Sequence, residues 1–399
     1  MGPDRVTPQA AAAGRAPRVL ILTASFGSGH NAAAAALDTA FRAAGAAPRV
    51  VDHFRELVHP AFDRASRRLY EAMLRHAPGL WGLAYRIGDR LTPRSRLTFH
   101  ANRVGCARLA RLLAAERPDC VACTHPTPAG ALGALRRRGV ATPPYAIVFS
   151  DYTVHRQWLH PEADVHYVPA DALRPAVVAG GVAAERVVTA GIPLRPEFAE
   201  PRDRAGARQA LGLDPRGPVV LAMAGAAGGR GRLEAVTRVL AELSPPLEAL
   251  VVTGVDAELA RALRARVGAR GRIRILGYAE DVRGLMAAAD LLVTKAGGLS
   301  LAEALAAELP VICFGSLPGH EARNEAFAVC AGAALAARSP AELAAVLRRA
   351  LERPEVSDGL RAAGRALRRP HAAREVADHL LGIAARQASG RALAGYRPR

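Results

Sequence analysis

Two polar residues, His30 and Asp151, are the strongest candidates for chemistry in this sequence. His30 ends a glycine-rich loop that follows an apolar strand at 18–23, and Asp151 closely follows a second apolar strand at 146–149. An imidazole titrates near neutral pH and is suited to remove a proton from an attacking hydroxyl group. Asp151 is suited to share that role or to orient the imidazole. The alternatives are a buried or capping histidine and an aspartate that only caps a turn.

A second group of candidate residues lies in the segment 291–324, which reads LLVTKAGGLSLAEALAAELPVICFGSLPGHEARN. Its pattern predicts a buried strand, a turn at Gly297 and Gly298, a helix, a second strand and a second glycine-rich loop. Ligands of open parallel sheets bind beyond the carboxyl ends of the strands, and the first N–H groups of a helix hold phosphates. Glu303 lies within the helix, where a carboxylate favours a neutral diol over a phosphate. The segment therefore predicts a nucleotide-sugar site, with phosphates at the glycines and ribose hydroxyls at Glu303.

The elements that must position these residues predict a two-domain α/β protein. The chain has 399 residues, of which 50% are hydrophobic, and this is enough for two cores. A strand, a glycine-rich loop and a helix occur in succession twice, first at 18–44 and again from residue 219 onward. We expect two Rossmann-like, doubly wound parallel sheets that face a cleft. The expected units are a disordered leader (1–17), an acceptor-side domain (18–195) and a donor-binding domain (196–372). The last unit (373–399) is a helix at 373–387, which crosses back onto the first domain, followed by a basic tail.

A basic segment, 60–117, interrupts the first predicted domain. The formal net charge of the chain is +18, and this segment contains 12 arginines against four acidic residues. Apolar and aromatic residues alternate with the arginines, as is typical of amphipathic helices that lie on an anionic membrane surface. The alternative is a set of helices packed on a core with a solvated arginine face. Nucleic-acid binding is disfavoured because no recognition motif accompanies the charge.

The loop that contains His30 also meets the pattern of a dinucleotide-binding fingerprint. Gly27, Gly29 and Ala32 fit G-x-G-x-x-A after a strand, and Asp52 follows about 20 residues later. This pattern leaves an NAD-dependent oxidoreductase as an alternative. We disfavour it because the imidazole of His30 stands in the turn that a pyrophosphate would occupy.

Cysteine and histidine spacing does not predict a metal or redox site. Cys120 and Cys123 form a C-x-x-C pair within a short strand, where the redox motif would need a helix start. His155, His160 and His166 do not fit the i, i+4 spacing of a helical metal site, and acidic partners do not cluster with them. We therefore expect the cysteines to be small buried residues and expect no bound metal.

The motifs TKAGGLSLAEAL and PGHEARN, together with LTASFGSGHNAAAAAL near the N-terminus, resemble those of a known glycosyltransferase family. This GT-B family, glycosyltransferase family 28-like, includes monogalactosyldiacylglycerol synthases, processive diacylglycerol glucosyltransferases and, more distantly, the transferase that makes lipid II. The resemblance implies inverting transfer of a hexose from UDP-galactose or UDP-glucose to a lipid, above all diacylglycerol, on the cytoplasmic face of the cell membrane. It implies neither cofactor nor metal. A polyprenyl lipid or hydrophobic natural product as acceptor, a UDP-sugar epimerase and a non-catalytic lipid-binding protein remain alternatives.

The resemblance also assigns residues to the two substrates. It implies that the backbone at Tyr278 meets the uracil ring and that His320, where the family usually has glutamine, contacts the donor sugar. The segment 60–117 would contact the membrane and the acceptor. The full donor set is Gly225, Gly228, Gly229, Tyr278, Gly297, Gly298, Leu299, Ser300, Glu303, Gly319, His320, Glu321 and Asn324, and the acceptor and membrane set is Gly29, Trp81, Tyr85 and Trp158.

Overall fold

The structure is a computed structural model that describes residues 15–91, 104–200, 203–223, 230–244, 247–268 and 271–395. Two parallel sheets of six strands each form its framework, which confirms the predicted α/β class. The first sheet contains β1 (Arg18–Thr23), β2 (Ala47–Asp52), β3 (Cys120–Cys123), β4 (Tyr145–Val148), β5 (Val165–Val168) and β6 (Val187–Thr189). The second contains β7 (Val219–Met223), β8 (Glu248–Val252), β9 (Ile273–Leu276), β10 (Leu291–Thr294), β11 (Val311–Phe314) and β12 (Ala334–Ala337).

Helices cover both faces of each sheet. In the first part of the chain they are α1 (Ser28–Ala43), α2 (Pro60–His76), α3 (Pro78–Arg90), α4 (Cys106–Glu116), α5 (Pro126–Arg137) and α6 (Arg174–Ala179). They continue with α7 (Arg204–Leu211), α8 (Arg230–Glu242), α9 (Ala257–Val267), α10 (Val282–Ala288), α11 (Gly298–Ala306), α12 (His320–Cys330), α13 (Pro340–Glu352), α14 (Pro354–Leu367) and α15 (Ala372–Gly395). A π-helix spans His53–Val58, and 3₁₀ turns span Arg156–Trp158, Asp171–Leu173, Ala184–Arg186 and Pro196–Ala199.

The order of the strands fixes where ligands can bind. The first sheet runs β2-β1-β3-β4-β5-β6, and the second runs β12-β11-β10-β7-β8-β9. In the second sheet the order reverses between β10 and β7, so the loops after these two strands diverge to opposite faces and leave a crevice. Strands β3, β4, β5, β10 and β11 are buried along their whole length, which explains their continuous apolar sequences.

The chain connects the two sheets twice. It leaves the first sheet after β6, and α15 then returns to pack Val376, Ala377 and Leu380 against that sheet. Tyr167 Oη lies 2.8 Å from His379 Nδ1, which ties α15 to β5. The two crossings touch each other at Gly191, where an added Cβ atom would lie 2.4 Å from the Cβ of Arg369. Gly191 also has a φ of +100°, a conformation that glycine adopts readily.

Both ends of the described chain fall within segments that the sequence analysis singled out. Within the leader expected at 1–17, Arg15 donates two hydrogen bonds of 2.9 Å to the carboxylate of Asp119, a planar ion pair at the surface. Residues 1–14 lie outside the described residues. At the other end α15 continues to Gly395, beyond the helix end predicted at residue 387.

The described parts of the basic segment 60–117 are mainly helical. They form α2 and α3 in its first half and α4 near its end. Its middle, 92–103, lies outside the described residues. Within the described ranges, no helix is both long enough and apolar enough to cross a lipid bilayer.

Candidate active site

We call the first sheet with its helices the first domain, and the second sheet with its helices the second domain. A cavity of about 580 Å³ lies where these two domains meet. Loops that follow β1, β3 and β4 form one side of it, and loops that follow β10 and β11 form the other. Helices α2 and α3 close the third side with apolar and aromatic side chains. The cavity therefore lies beyond the carboxyl ends of both sheets, where the sequence predicted the chemistry.

His30 lines this cavity in the first turn of α1. Its Nδ1 atom lies 2.9 Å from the hydroxyl oxygen of Ser150, and its ring contacts that of His125 with centroids 4.9 Å apart. Burial lowers the pKa of His30, and the carboxylate of Asp151 opposes this effect in part. Burial therefore favours the neutral imidazole, in which one of the two ring nitrogens carries no proton. The ring also has a hydrogen bond to the backbone of Thr124.

Asp151 also lines the cavity, but its hydrogen-bond partner is in the other domain. Asn324 Nδ2 donates to Asp151 Oδ1 at 2.7 Å and to the carbonyl of Ala296 at 3.0 Å. The sequence analysis offered Asp151 as a residue that shares the role of base or orients His30. In the structure the hydroxyl group of Ser150 contacts the imidazole, and Asp151 acts on His30 through its charge. Ser150 was missed, although it directly precedes Asp151 at the end of the same strand.

Gly297 and Gly298 begin α11 at the edge of the cavity, together with Leu299 and Ser300. No side chain caps this helix, so its first N–H groups are available to a bound anion. The backbone of the first domain lies directly against Gly298. An added Cβ atom there would be 2.1 Å from the carbonyl oxygen of Ser150, so only glycine fits at this position.

Glu321 and His320 line the same cavity at the start of α12. Lys295 forms an ion pair with Glu321, and the Leu317 N–H donates to the same carboxylate at 2.8 Å. Burial alone would raise the pKa of Glu321, but Lys295 and the other partners hold it below its usual range. The carboxylate is therefore ionised and fixed in place. Lys295 was missed as a site residue, although it is the only lysine in the chain and stands in the TKAGG motif.

Glu303 does not belong to the residues that line this cavity, in contrast to the glycines of the same helix. It is 8% exposed, and burial raises its pKa to about 7. Arg195 and Glu197, which follow the first crossing between the sheets, act on its charge in opposite directions. The structure therefore places Glu303 one turn beyond the cavity, beside the junction of the two domains.

Three members of the donor set, Gly225, Gly228 and Gly229, lie outside the described residues. Tyr278 is described and is 73% exposed in the loop after β9. It does not line the cavity, so the expected uracil position is separate from the space around His30.

All four residues of the acceptor set line the cavity. Trp81 and Tyr85 come from α3, Trp158 follows β4, and Gly29 precedes His30. Tyr70 of α2, which the sequence analysis did not single out, packs edge-to-face on Trp81 with ring centroids 5.0 Å apart. The wall that these residues form is apolar and aromatic, which suits a hydrophobic acceptor.

Helix α3 contacts both domains. Asp89 accepts a hydrogen bond of 2.6 Å from Arg323 of the second domain and one of 2.9 Å from the backbone N–H of Arg156 in the first. An added Cβ atom on Gly82 would lie 2.6 Å from the Cβ of Pro318, so α3 also packs tightly on the loop that precedes His320. Residues expected to contact the acceptor on α3 are therefore in direct contact with the loop that carries residues expected to contact the donor.

The side chain of Asp52, the acidic residue of the dinucleotide fingerprint, has internal partners. It accepts hydrogen bonds of 3.0 Å from the N–H groups of Phe54 and Arg55 and one of 2.5 Å from Ser25. It caps the π-helix that follows β2, which accounts for this residue without a ribose.

Comparisons with known proteins identify the fold and the family. The family model described as monogalactosyldiacylglycerol (MGDG) synthase matches residues 30–194, and the model described as glycosyl transferases group 1 matches residues 223–353. Among solved structures, MurG of Acinetobacter baumannii superposes with a TM-score of 0.62 at 18% identity, covering 92% of this chain and 99% of that one. MnaA of S. aureus in complex with UDP has a TM-score of 0.61 at 14% identity, covering 91% and 95%. These likenesses show the GT-B fold.

Curated sequences are more similar. The processive diacylglycerol beta-glucosyltransferase of Bacillus thuringiensis (strain Al Hakam) is 30% identical over 371 residues, which cover 92% of this chain and 93% of the relative. The protein of the same description from Bacillus cytotoxicus is 30% identical over 367 residues with the same coverage. The chain therefore belongs to the family of GT-B glycosyltransferases that contains the monogalactosyldiacylglycerol synthases and the processive diacylglycerol glucosyltransferases.

Proposed function

We propose that this protein is an inverting glycosyltransferase that moves a hexose, glucose or galactose, from a UDP-sugar to the hydroxyl group of diacylglycerol. The observation that carries this proposal is the shared cavity. It brings His30, the uncapped start of α11 and an apolar aromatic wall together in one space. The family membership and the relatives named for diacylglycerol glucosyl transfer support the same reaction.

In this proposal His30 is the base. Its neutral imidazole takes the proton of the acceptor hydroxyl as the oxygen attacks the anomeric carbon, and Ser150 holds the ring in position. The negative charge near His30 from Asp151 stabilises the imidazolium that forms. The N–H groups at the start of α11 stabilise the charge that develops on the departing UDP. His320 and Glu321, which line the cavity, contact the sugar. Asn324 was expected to contact it too, but it is buried outside the cavity lining and holds Asp151 instead.

The charges around the cavity favour a neutral acceptor. The chain has 54 lysine and arginine residues, yet Lys295 alone of these lines the cavity among the described residues, and Glu321 already neutralises it. A polyprenyl phosphate would bring a second anion close to Asp151 and Glu321. Diacylglycerol brings none, and its ester carbonyl groups suit Trp81 Nε1, a buried donor without a hydrogen-bond partner in the described structure.

The decisive experiment is transfer with purified protein and vesicles. The protein is incubated with UDP-glucose or UDP-galactose and vesicles that contain diacylglycerol, and glycolipid and UDP are measured by mass spectrometry. Formation of a hexosyl diacylglycerol with release of one UDP per sugar supports the proposal. If glycolipid forms only when polyprenyl phosphate is supplied, the acceptor is a polyprenyl lipid and not diacylglycerol. If a UDP-sugar isomer forms without any acceptor, the protein is an epimerase.

The outer face of α3 supports location on a membrane surface. Leu80, Leu83 and Ile87 are 57%, 46% and 51% exposed, and their spacing puts them on one side of the helix. Arg86 and Arg90 belong to the same helix. An apolar stripe with flanking arginines binds an anionic lipid surface. We place the protein at the inner, cytoplasmic face of the cell membrane as a peripheral protein.

Replacing Leu80, Leu83 and Ile87 together with serine is expected to lower binding to anionic vesicles at least about tenfold, since each lost apolar contact costs about 1 kcal/mol or more. Flotation with vesicles of phosphatidylglycerol measures this binding. Val178→Ser is the control, because Val178 is a comparably exposed residue on α6. Unchanged flotation of the triple variant would show that another surface binds the membrane.

A further inference from the structure

The hydrogen bonds of Asn324 join the two domains beside the cavity. Its side chain is fully buried in α12 and does not line the cavity. The amide nitrogen donates to Asp151 Oδ1 at 2.7 Å and to the carbonyl oxygen of Ala296 at 3.0 Å. Both partners are acceptors, so only the nitrogen end of the amide satisfies them. Asn324 therefore connects the loop after β4 in the first domain with the loop after β10 in the second.

The carboxylate of Asp151 depends on this contact for its position. Among the described residues, Asn324 is the only hydrogen-bond donor to its side chain. The same oxygen, Oδ1, lies beside Gly298, where an added Cβ atom would be 2.9 Å away. Asp151 lines the cavity, as His30 does. The place of this charge in the cavity is therefore set by two residues of the second domain, Asn324 and Gly298.

His30 is the group on which this charge acts. Burial lowers the pKa of His30 most strongly, and the carboxylate of Asp151 raises it. His320 of α12 lowers this pKa as well, and the hydrogen bond to the backbone of Thr124 raises it. The neighbouring imidazole of His125 has a pKa well below its usual value because it is buried, so it provides no counter-charge. Asp151 is therefore the acidic group that stabilises protonated His30, the form produced when the base accepts a proton.

We propose that Asn324 is a positioning residue that holds the carboxylate of Asp151 beside His30 when the two domains are together. The proposal rests on the proposed function, in which the acceptor hydroxyl passes its proton to His30. Asn324 touches none of the reacting atoms and acts only through Asp151. It belongs to α12, the helix that also carries His320 and Glu321. Support for the base of the first domain is therefore complete only when α12 of the second domain is in place.

Titration of the His30 ring by NMR, without substrates, tests this role. The His30 signal is identified by its absence from the spectrum of His30→Gln. In Asn324→Ala the released carboxylate turns toward water, so the pKa of His30 should fall, as it should in Asp151→Asn. The double variant should show the same fall as Asp151→Asn alone, because Asn324 acts through Asp151. Ala326→Gly is the control, since it weakens α12 on its exposed side and should leave the pKa of His30 unchanged.

Transfer kinetics separate positioning from donor binding. Asn324→Ala should lower kcat about 10–100-fold, since a small displacement near the reacting groups costs up to that much. Its affinity for UDP-glucose should stay that of the wild type, because Asn324 does not line the cavity. The acidic decline of kcat should also move to lower pH, in the same direction as the pKa of His30. If the alanine variant does not fold, Asn324→Leu keeps the branched shape of the side chain and removes its amide.

Three results would overturn the proposal. The first is a pKa of His30 that is the same in Asn324→Ala as in the wild type. The second is a larger fall in the double variant than in Asp151→Asn. The third is a loss of UDP-glucose affinity as large as the loss of kcat, which would make Asn324 a contact of the donor. If the pKa of His30 depends on Asn324 but no glycolipid forms, the proposed function is wrong and the positioning of Asp151 by Asn324 remains.

Discussion

Replacing His30 with alanine is expected to lower kcat by about 10²–10⁴-fold, the usual contribution of a positioned general base. The reason is geometric and electrostatic. Ser150 fixes the ring at Nδ1, burial keeps it neutral, and no second imidazole in the described structure has that hydroxyl partner. UDP affinity should not change, because the donor groups come from the second domain. Steady-state transfer assays and UDP titration of the same preparations measure both quantities.

The pH dependence of the wild type gives an independent test of His30. A base must be neutral to accept a proton, so activity falls as the pH drops through its pKa. Burial lowers the pKa of His30 below the ordinary value of 6.5, so kcat should remain high at pH 6.5 and decline only in more acidic solution. If Asp151→Asn no longer shows the decline of kcat at acidic pH, and His30→Ala is still active, Asp151 is the base.

The second large effect is expected from Gly298→Ala, which should lower kcat/KM at least about 100-fold. The new methyl group would meet the Ser150 carbonyl oxygen at 2.1 Å and the carboxylate oxygen of Asp151 at 2.9 Å. The backbone atoms cannot both stay in place, so the donor helix and the base move apart. A displacement of about 1 Å at reacting groups is enough for a loss of this size.

Gly359→Ala provides the control for Gly298→Ala. Gly359 is also a helical glycine of the second domain, but an added Cβ atom there would meet no atom within 4 Å. It should retain full activity and gain slightly in stability, since alanine favours helix over glycine. Both variants are compared by thermal unfolding and by kcat/KM. Wild-type activity of a folded Gly298→Ala protein would mean that the two domains are farther apart during the reaction than in this structure.

The segment that was easiest to interpret from the sequence is 291–324, because its chemistry is local. A buried strand, two glycines and an alanine- and leucine-rich helix lie in succession, and the structure has β10, α11 and β11 there. The helix begins at Gly298, inside the turn that the sequence analysis predicted at Gly297 and Gly298. Glycine is a weak helix former, but burial of the whole helix between the domains outweighs that preference.

The long-range contacts that hold the site residues were not visible in the sequence. Ser150 is hydrogen-bonded to His30, 120 residues away in the same domain, and Asn324 reaches Asp151 across the interface between the domains. The partner of Lys295 lies at the start of α12, after the next strand. Each of these pairs depends on the tertiary packing of strands and helices, and no local pattern of hydrophobicity or turn residues records that distance. Residue types alone marked His30 and Asp151 as reactive, but not the groups that hold them.

The paired crossings at Gly191 and Arg369 also define how the halves of the molecule can move. A single covalent tether would allow one half to twist, slide or swing relative to the other. Two neighbouring tethers restrain sliding and twisting more than one would, because each has a fixed length and they are packed against each other at Gly191. The crossings therefore help to keep His30 of the first domain and the start of α11 of the second on facing sides of one cavity.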